Sequence, residues 1–187
     1  TQVILPEGVE VIEEAAFYNC KNIENITLPQ TLWKIDDMAL WGCEKIKKLE
    51  LTSKISSVGS YVFRDCKALE EIIVVPENTY FKSVDGILYE KKKYMRMMVC
   101  PAMKQGIVTV ADGMHEIGTE AFHDCKYVTE VRLPESLETI NSSAFEGCSA
   151  LEKIELPDNI EQIGMYAFED CTALKSVKLP ARLTDID

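Results

Sequence analysis

Leu5 to Thr27 reads LPEGVEVIEEAAFYNCKNIENIT, and the same pattern starts again at Leu28 and at Leu51. After an interruption the register resumes at Val110, Leu133, Leu156 and Leu179. The consensus is L-P-x-x-V-x-x-I-x-x-x-A-F-x-x-C-x-x-L-x-x-I-x, and its period is the step from Leu5 to Leu28 and from Leu28 to Leu51. Self-similarity at a fixed period of this length marks a chain built from stacked copies of one small unit.

Each recurring position has a physical reading. Ile23, Ile26 and Leu28 follow L-x-x-L-x-L, as do Ile46, Leu49 and Leu51, and then Val128, Val131 and Leu133. The last two members alternate with a polar residue, the period of a half-buried strand. Pro6, Pro29, Pro134, Pro157 and Pro180 follow, and proline ends pairing because it has no amide donor. A second short extended piece comes next, with anchors such as Val9 and Ile12 or Leu137 and Ile140. Glu13, Asp36, Gly59, Gly118, Asn141 and Gly164 then read as a turn that needs left-handed backbone angles. A short helical turn is expected to carry Ala16 with Phe17, Ala121 with Phe122, Ala144 with Phe145 and Ala167 with Phe168 inward. Asn19, Gly42, Asp65, Asp124, Gly147 and Asp170 precede the repeat cysteines, a series that a left-handed cap selects.

One such unit has too few inward side chains to offset the entropy of ordering it. Stacking supplies the remainder, because each coil covers its neighbour's core and extends its hydrogen-bond ladder. The expectation is one solenoid over residues 1–187, with regular repeats at 1–73 and 110–187 and a variant repeat at 74–109. The variant interval from 51 to 110 holds one regular unit and one lengthened unit. Within it Ser83–Tyr89 and Tyr94–Val99 read as two strands of a β-hairpin, with Glu90, Lys91, Lys92 and Lys93 as its solvated turn.

Composition narrows the function. A formal charge of -11 opposes phosphate binding and docking on an anionic membrane. No stretch approaches the length of a membrane span, and the first residues carry no basic and apolar signal segment. Starting at Thr1 inside repeat-like sequence, the chain reads as a piece of a longer protein. The unit begun at Leu179 is cut at Asp187, so an exposed apolar edge and end-to-end self-association are expected there.

Chemistry-bearing residues are sparse. The cysteines stand at 20, 43, 66, 100, 125, 148 and 171, and all but the two gaps beside Cys100 equal the repeat period. No pair has the two-to-four-residue spacing of a zinc site. Six of them read as a small, soft filler of one inward slot, with a disulfide or a soft metal between adjacent coils as the alternative. Cys100 falls outside that ladder. His115 and His123 occupy variable, outward positions and sit in no motif. With 31 acidic residues, carboxylate pairs are inevitable and carry no signal for glycoside cleavage. No catalytic, cofactor-binding or metal-binding residue is assigned, and the chain reads as no enzyme.

The face lined by the first strand of each unit is the sharper candidate. Between its two anchors stand Thr27, Glu50, Ile73, Arg132, Glu155 and Lys178. Flanking positions alternate in charge from coil to coil, as in Glu24, Lys47 and Glu70 or Lys48 and Glu71. Such a row either neutralises itself across the sheet or presents a mixed-charge surface to a protein partner. No aromatic row lines it. Trp33 and Trp41 stand at two variable outer positions of one unit, where they either cover an edge of the array or form a contact hot spot.

The unit L-P-x-x-[VLI]-x-x-I-x-x-x-A-F-x-x-C-x-x-L resembles the BspA-like leucine-rich repeat family. The insert, with Asn78, Ser83–Tyr89 and Cys100-Pro101-Ala102, is similar to a variant unit of that family. Leu40 in place of phenylalanine, Val62 of alanine and Thr52 of proline are steric departures that touch no function. The resemblance implies an α/β fold: a right-handed leucine-rich repeat solenoid of short parallel strand, second extended segment and short helical turn, with one β-hairpin insert. It also implies a secreted or surface-anchored protein of a bacterium or mucosal protist, adhesion to host or cell-surface proteins, and no catalytic residues. The leading expectation is therefore a protein-interaction module. A structural spacer and an accessory domain of a carbohydrate-active enzyme are the alternatives. Unfolding without reductant should release seven titratable thiols, one per cysteine; a count of five or fewer would establish disulfides and reject the packing role.

Overall fold

The computed structural model describes residues 1–92 and 94–186. Its contacts gather into two compact units, Thr1–Lys92 and Lys93–Asp187. Lys93, expected in the hairpin turn, and Asp187, the expected cut end, lie outside the described residues.

The first unit has two rows of short parallel strands. In one, Gln2–Ile4 pairs with Asn25–Thr27, and Lys48–Leu51 pairs with Glu71–Val74. In the other, Val11–Ile12, Lys34–Ile35 and Ser57–Val58 pair in succession. Partners such as Ile12 with Ile35 and Leu49 with Ile72 are one period apart, so equivalent residues do stack. Leu32, Ile35, Leu40, Leu51 and Ile72 are wholly buried between the rows.

The second unit repeats the plan. One row runs Arg96–Val99, Glu116–Ile117, Thr139–Ile140, Gln162–Ile163 and Asp185–Ile186. The other runs Gln105–Thr109, Tyr127–Arg132 and Lys153–Glu155. Phe122, Phe145 and Phe168 stack with ring centroids 4.8 and 5.3 Å apart, forming an aromatic spine through consecutive coils. Stacked rings of this kind contribute beyond their buried area.

The insert differs from the expected hairpin. Ser83–Tyr89 is not one strand: Phe81–Val84 and Ile87–Glu90 run antiparallel with Val84 opposite Ile87. Asp85 and Gly86 make the turn, at φ +51° and +73°, the double left-handed conformation that an Asp-Gly hairpin turn demands. The second expected hairpin strand is instead an ordinary coil strand, since Arg96–Val99 pairs in parallel with Glu116–Ile117. Gln105–Thr109 likewise joins a row, with a bulge between Gly106 and Ile107 where the register shifts. The extra residue is Thr129 on the partner strand, and Gly106, beside the shift, adopts φ +69°.

The helical turn is absent too: the described residues contain no helix. Between the second-row strand and the repeat cysteine, alternate amides point in different directions. The amides of Ala16, Tyr18 and Cys20 donate to Glu13, Ala15 and Phe17, three residues back. Those of Ala15, Phe17 and Asn19 donate to Asp37, Ala39 and Trp41 of the next coil, at 3.0, 2.9 and 2.7 Å. The second unit repeats this with Phe122 on Ala144 and Phe145 on Ala167, at 2.7 and 2.8 Å. An α-helix needs every amide for its own chain four residues back, so a segment that gives half of them to its neighbour cannot be one.

Backbone strain is distributed accordingly. Asn19, Gly42, Asp65, Asp124, Gly147 and Asp170 all have positive φ, as their chemistry suggests. The other expected left-handed site is displaced by two residues, onto Ala15, Met38, Tyr61, Glu120, Ser143 and Tyr166. Gly59 and Gly164 answer to close approach instead. A Cβ on Gly59 would sit 2.6 Å from the Asp37 amide nitrogen, and one on Gly164 2.6 Å from that of Ser142.

At the end of the array, residues 174–180 form no strand, so Lys178 is exposed but not on a ladder. Leu179 and Ile186 are 52% and 56% exposed, the apolar edge expected there. One polar residue anchors the variant coil. Asn78 is 1% exposed. Its Nδ2 donates to the Thr52 and Ile55 carbonyls at 2.8 Å each, and its Oδ1 accepts from the Tyr80 and Phe81 amides at 2.9 and 2.8 Å. Asn78→Ala removes all four bonds, takes from the Ile55 carbonyl and the buried Phe81 amide the partner they have here, and should lower unfolding free energy by about 2 kcal/mol or more, read as a lower urea midpoint. A midpoint unchanged within error would reject this anchoring role.

Candidate functional site

Thr27, Glu50, Ile73, Arg132, Glu155 and Lys178 are all exposed. The sheet brings Glu50 opposite Ile73 and Arg132 opposite Glu155. Around them the first unit carries the alternating pairs that the sequence suggested. Lys47 meets Glu70 at 3.1 Å, and Lys48 meets Glu71. Glu44 lies 3.0 Å from Lys21 and 3.2 Å from Lys67, a three-coil series that the sequence reading passed over. Those two ammonium groups, Lys21 first, hold the Glu44 carboxyl below the usual range, and Glu71 lifts Lys48.

The second unit pairs its charges differently. Arg132 faces Glu155 in register, yet its Nε donates to Glu130 of its own strand at 2.8 Å. Lys153 reaches Glu155 at 3.1 Å and Glu130 at 4.0 Å. Arg132 and then Lys153 keep the Glu130 carboxyl ionised to lower pH than usual. Glu130, Arg132, Glu135, Lys153, Glu155 and Asp158 line a cleft of about 390 Å³ on this face. Exposed pairs of this kind stabilise the fold by no more than about 1 kcal/mol each, so their arrangement is free to serve recognition.

The two tryptophans are not a single feature. Trp33 is 43% exposed beside the second-row strand. Trp41 is half-buried on the turn edge, where its Nε1 donates to Asp65 at 3.0 Å. Tyr18 and Tyr61 flank the Trp41 ring at centroid distances of 5.6 and 6.2 Å, and the Arg64 guanidinium lies 5.0 Å over it. Sequence reasoning missed this cluster. Tyr18, Trp41 and Arg64 share one repeat position, but Tyr61 belongs to another, three residues earlier in its coil.

The cysteine ladder is structural. No cysteine is joined in a disulfide, and all but the half-buried Cys20 are buried. The thiols of Cys43, Cys66, Cys148 and Cys171 donate to the carbonyls of Phe17, Leu40, Phe122 and Phe145 in the preceding coil, at 3.1 to 3.3 Å. Cys125 does the same to Cys100 at 3.6 Å, so Cys100 stands in the phenylalanine slot of the variant coil rather than on a hairpin. Burial pushes the Cys43 thiol up to about 11 and Cys66 higher still, which disfavours the thiolate at those two positions, whereas the hydrogen bond with Cys148 lowers Cys171.

The histidines pair within their columns. His115 lies 3.1 Å from Glu138, and His123 lies 3.9 Å from Glu146. The His123 side chain is only 11% exposed, against the open position its alignment suggested. Glu120, His123 and Glu146 bring one ligand atom each within 4.8 Å of one another. That donor set suits a zinc-like ion, but the histidine–carboxylate pair already accounts for the grouping.

Six copies of the BspA type leucine rich repeat region match residues 1–85 and 100–187. No curated protein matches the chain. Among solved structures it is similar to the pneumococcal vaccine antigen PcpA, at 24% identity and a TM-score of 0.87 over 97% of this chain and 51% of that one. A leucine rich cell surface protein from Faecalibacterium prausnitzii A2-165 gives 24% identity and a TM-score of 0.78, over 98% of this chain and 54% of the other. A leucine-rich repeat protein from Eubacterium ventriosum ATCC 27560 gives 24% and 0.60, over 98% and 45%. The chain therefore spans about half the length of these structures, and the likeness concerns the fold. With a repeat match over nearly its whole length, the chain belongs to the BspA-type leucine-rich repeat family.

Proposed function

We propose that this chain is a non-catalytic interaction module of a secreted or surface-anchored bacterial protein, binding a host or cell-surface protein through its strand face. The observation that carries this reading is the cleft where Arg132, Lys153 and Glu155 stand exposed on a rigid parallel sheet. The backbone beneath them is held by in-register pairing between Glu130 and Lys153 and between Arg132 and Glu155, so their spacing is preorganised. Preorganised charge sets partner choice and association rate more than raw affinity. The naming of one solved relative as a cell surface protein supports the compartment.

In this reading the coils of each unit wind in the right-handed sense that parallel crossovers favour. Thr27, Glu50 and Ile73 on the strand face of the first unit, and exposed Lys178 beyond the second unit's strands, are assigned the same role.

A surface-plasmon-resonance screen of the purified chain against extracellular-matrix and cell-surface proteins should find a protein ligand. Arg132→Glu should then weaken it about tenfold, mainly through slower association, with a smaller loss at high salt. No protein ligand across the screen, or an affinity indifferent to Arg132→Glu and Glu155→Lys, would overturn the proposal.

A further inference from the structure

We propose that the turn edge of the first unit is a second binding surface, and that it takes a neutral glycan. Tyr18, Trp41 and Tyr61 come from three consecutive coils and form a row of rings at 5.6 and 6.2 Å steps. Tyr18 and Tyr61 are 45% and 41% exposed. Arg64 and Asp65 border the row, the first over the Trp41 ring and the second accepting from its Nε1.

Folding does not ask for these rings. The position of Tyr18 and Trp41 is filled in the second unit by His123, Glu146 and Glu169, and the same coil-to-coil backbone bonds form there. The phenylalanine column one residue earlier, by contrast, turns inward: Leu40, Phe122 and Phe145 are buried, and Phe17, Phe63 and Phe168 are half-buried. A solvent-facing row of aromatic rings that packing does not require is the signature of a contact surface.

The chemistry of the edge selects the occupant. Its backbone offers a peptide nothing to pair with as an added strand, because the amides of Phe17, Asn19, Met38 and Gly42 already donate to the next coil at 2.7 to 2.9 Å. Strand addition, which needs an open ladder, is therefore closed here. What remains outward is ring surface with a guanidinium and a carboxylate at its border. Aromatic rings stack on the C–H faces of sugars, while guanidinium and carboxylate groups exchange hydrogen bonds with hydroxyls. The ring steps are of the order of one hexopyranose unit, so successive sugars of a chain can meet successive rings. A formal charge of -11 repels polyanions, which favours an uncharged saccharide.

The test is native affinity electrophoresis of the purified chain in gels containing hydroxyethyl cellulose, mannan, laminarin or heparin. Retardation is expected in at least one neutral gel and not in heparin. Tyr18→Ala, and Tyr61→Asn chosen because asparagine tolerates the left-handed backbone at that position, should each raise the dissociation constant roughly tenfold with unchanged circular dichroism. Arg132→Glu should leave the retardation intact, which separates this surface from the strand face. In a Trp33→Phe variant the remaining Trp41 emission should shift with the retarding polysaccharide. Free migration in every neutral gel, retardation that survives both tyrosine substitutions, binding of heparin alone, or a Trp41 response to a polyproline peptide but to no saccharide would each overturn the proposal.

Discussion

The fold depends on backbone amides that donate across coils instead of along the chain. In the turn segment, Phe17 gives its amide to Ala39 and Phe122 gives its own to Ala144. The two strand rows do the same on the other sides of each coil. A regular coil, one repeat period long, has neither a helix nor a hairpin to satisfy its own peptide groups. Its neighbours must do so, and buried peptide groups left alone would cost too much. That need forces equivalent residues into register and makes every column of the sequence a column in space.

The column rule explains why the core is so uniform and the surface so varied. Inward columns hold Phe122, Phe145 and Phe168 as one stack, with the thiols of Cys148 and Cys171 bonded to a carbonyl of the coil before them. The cysteine suits that slot because it is small and still donates weakly. Outward columns need only be compatible with like neighbours above and below. Alternating charge meets that condition at Lys47 and Glu70, and contacting rings meet it at Tyr18 and Trp41. The strand face and the turn edge thus obey one constraint with different chemistry, the first polar and preorganised, the second aromatic.

The period, the strand anchors and the left-handed residue before each repeat cysteine were legible in the chain, because each rests on a local pattern repeated several times. The helical turn was misread for a physical reason. Ala16 and Phe17 have a spacing compatible with a helix, and nothing local reveals that the next coil's carbonyls compete for alternate amides. The insert was misread because Ser83–Tyr89 was taken as one strand through Asp85-Gly86, the pair that turns the chain. The aromatic cluster escaped because Tyr61 reaches Trp41 from a different column. Cys100 was set apart for its irregular spacing, although it fills the phenylalanine slot of its own coil.

The most direct test of the stacking account is the pattern of nuclear Overhauser contacts between backbone protons. Ile117, Ile140 and Ile163 should show successive parallel inter-strand contacts, each separated by one repeat period, as should Val131 with Ile154 and Ile12 with Ile35. Contacts of antiparallel type among these strands, or no contacts one period apart, would contradict it.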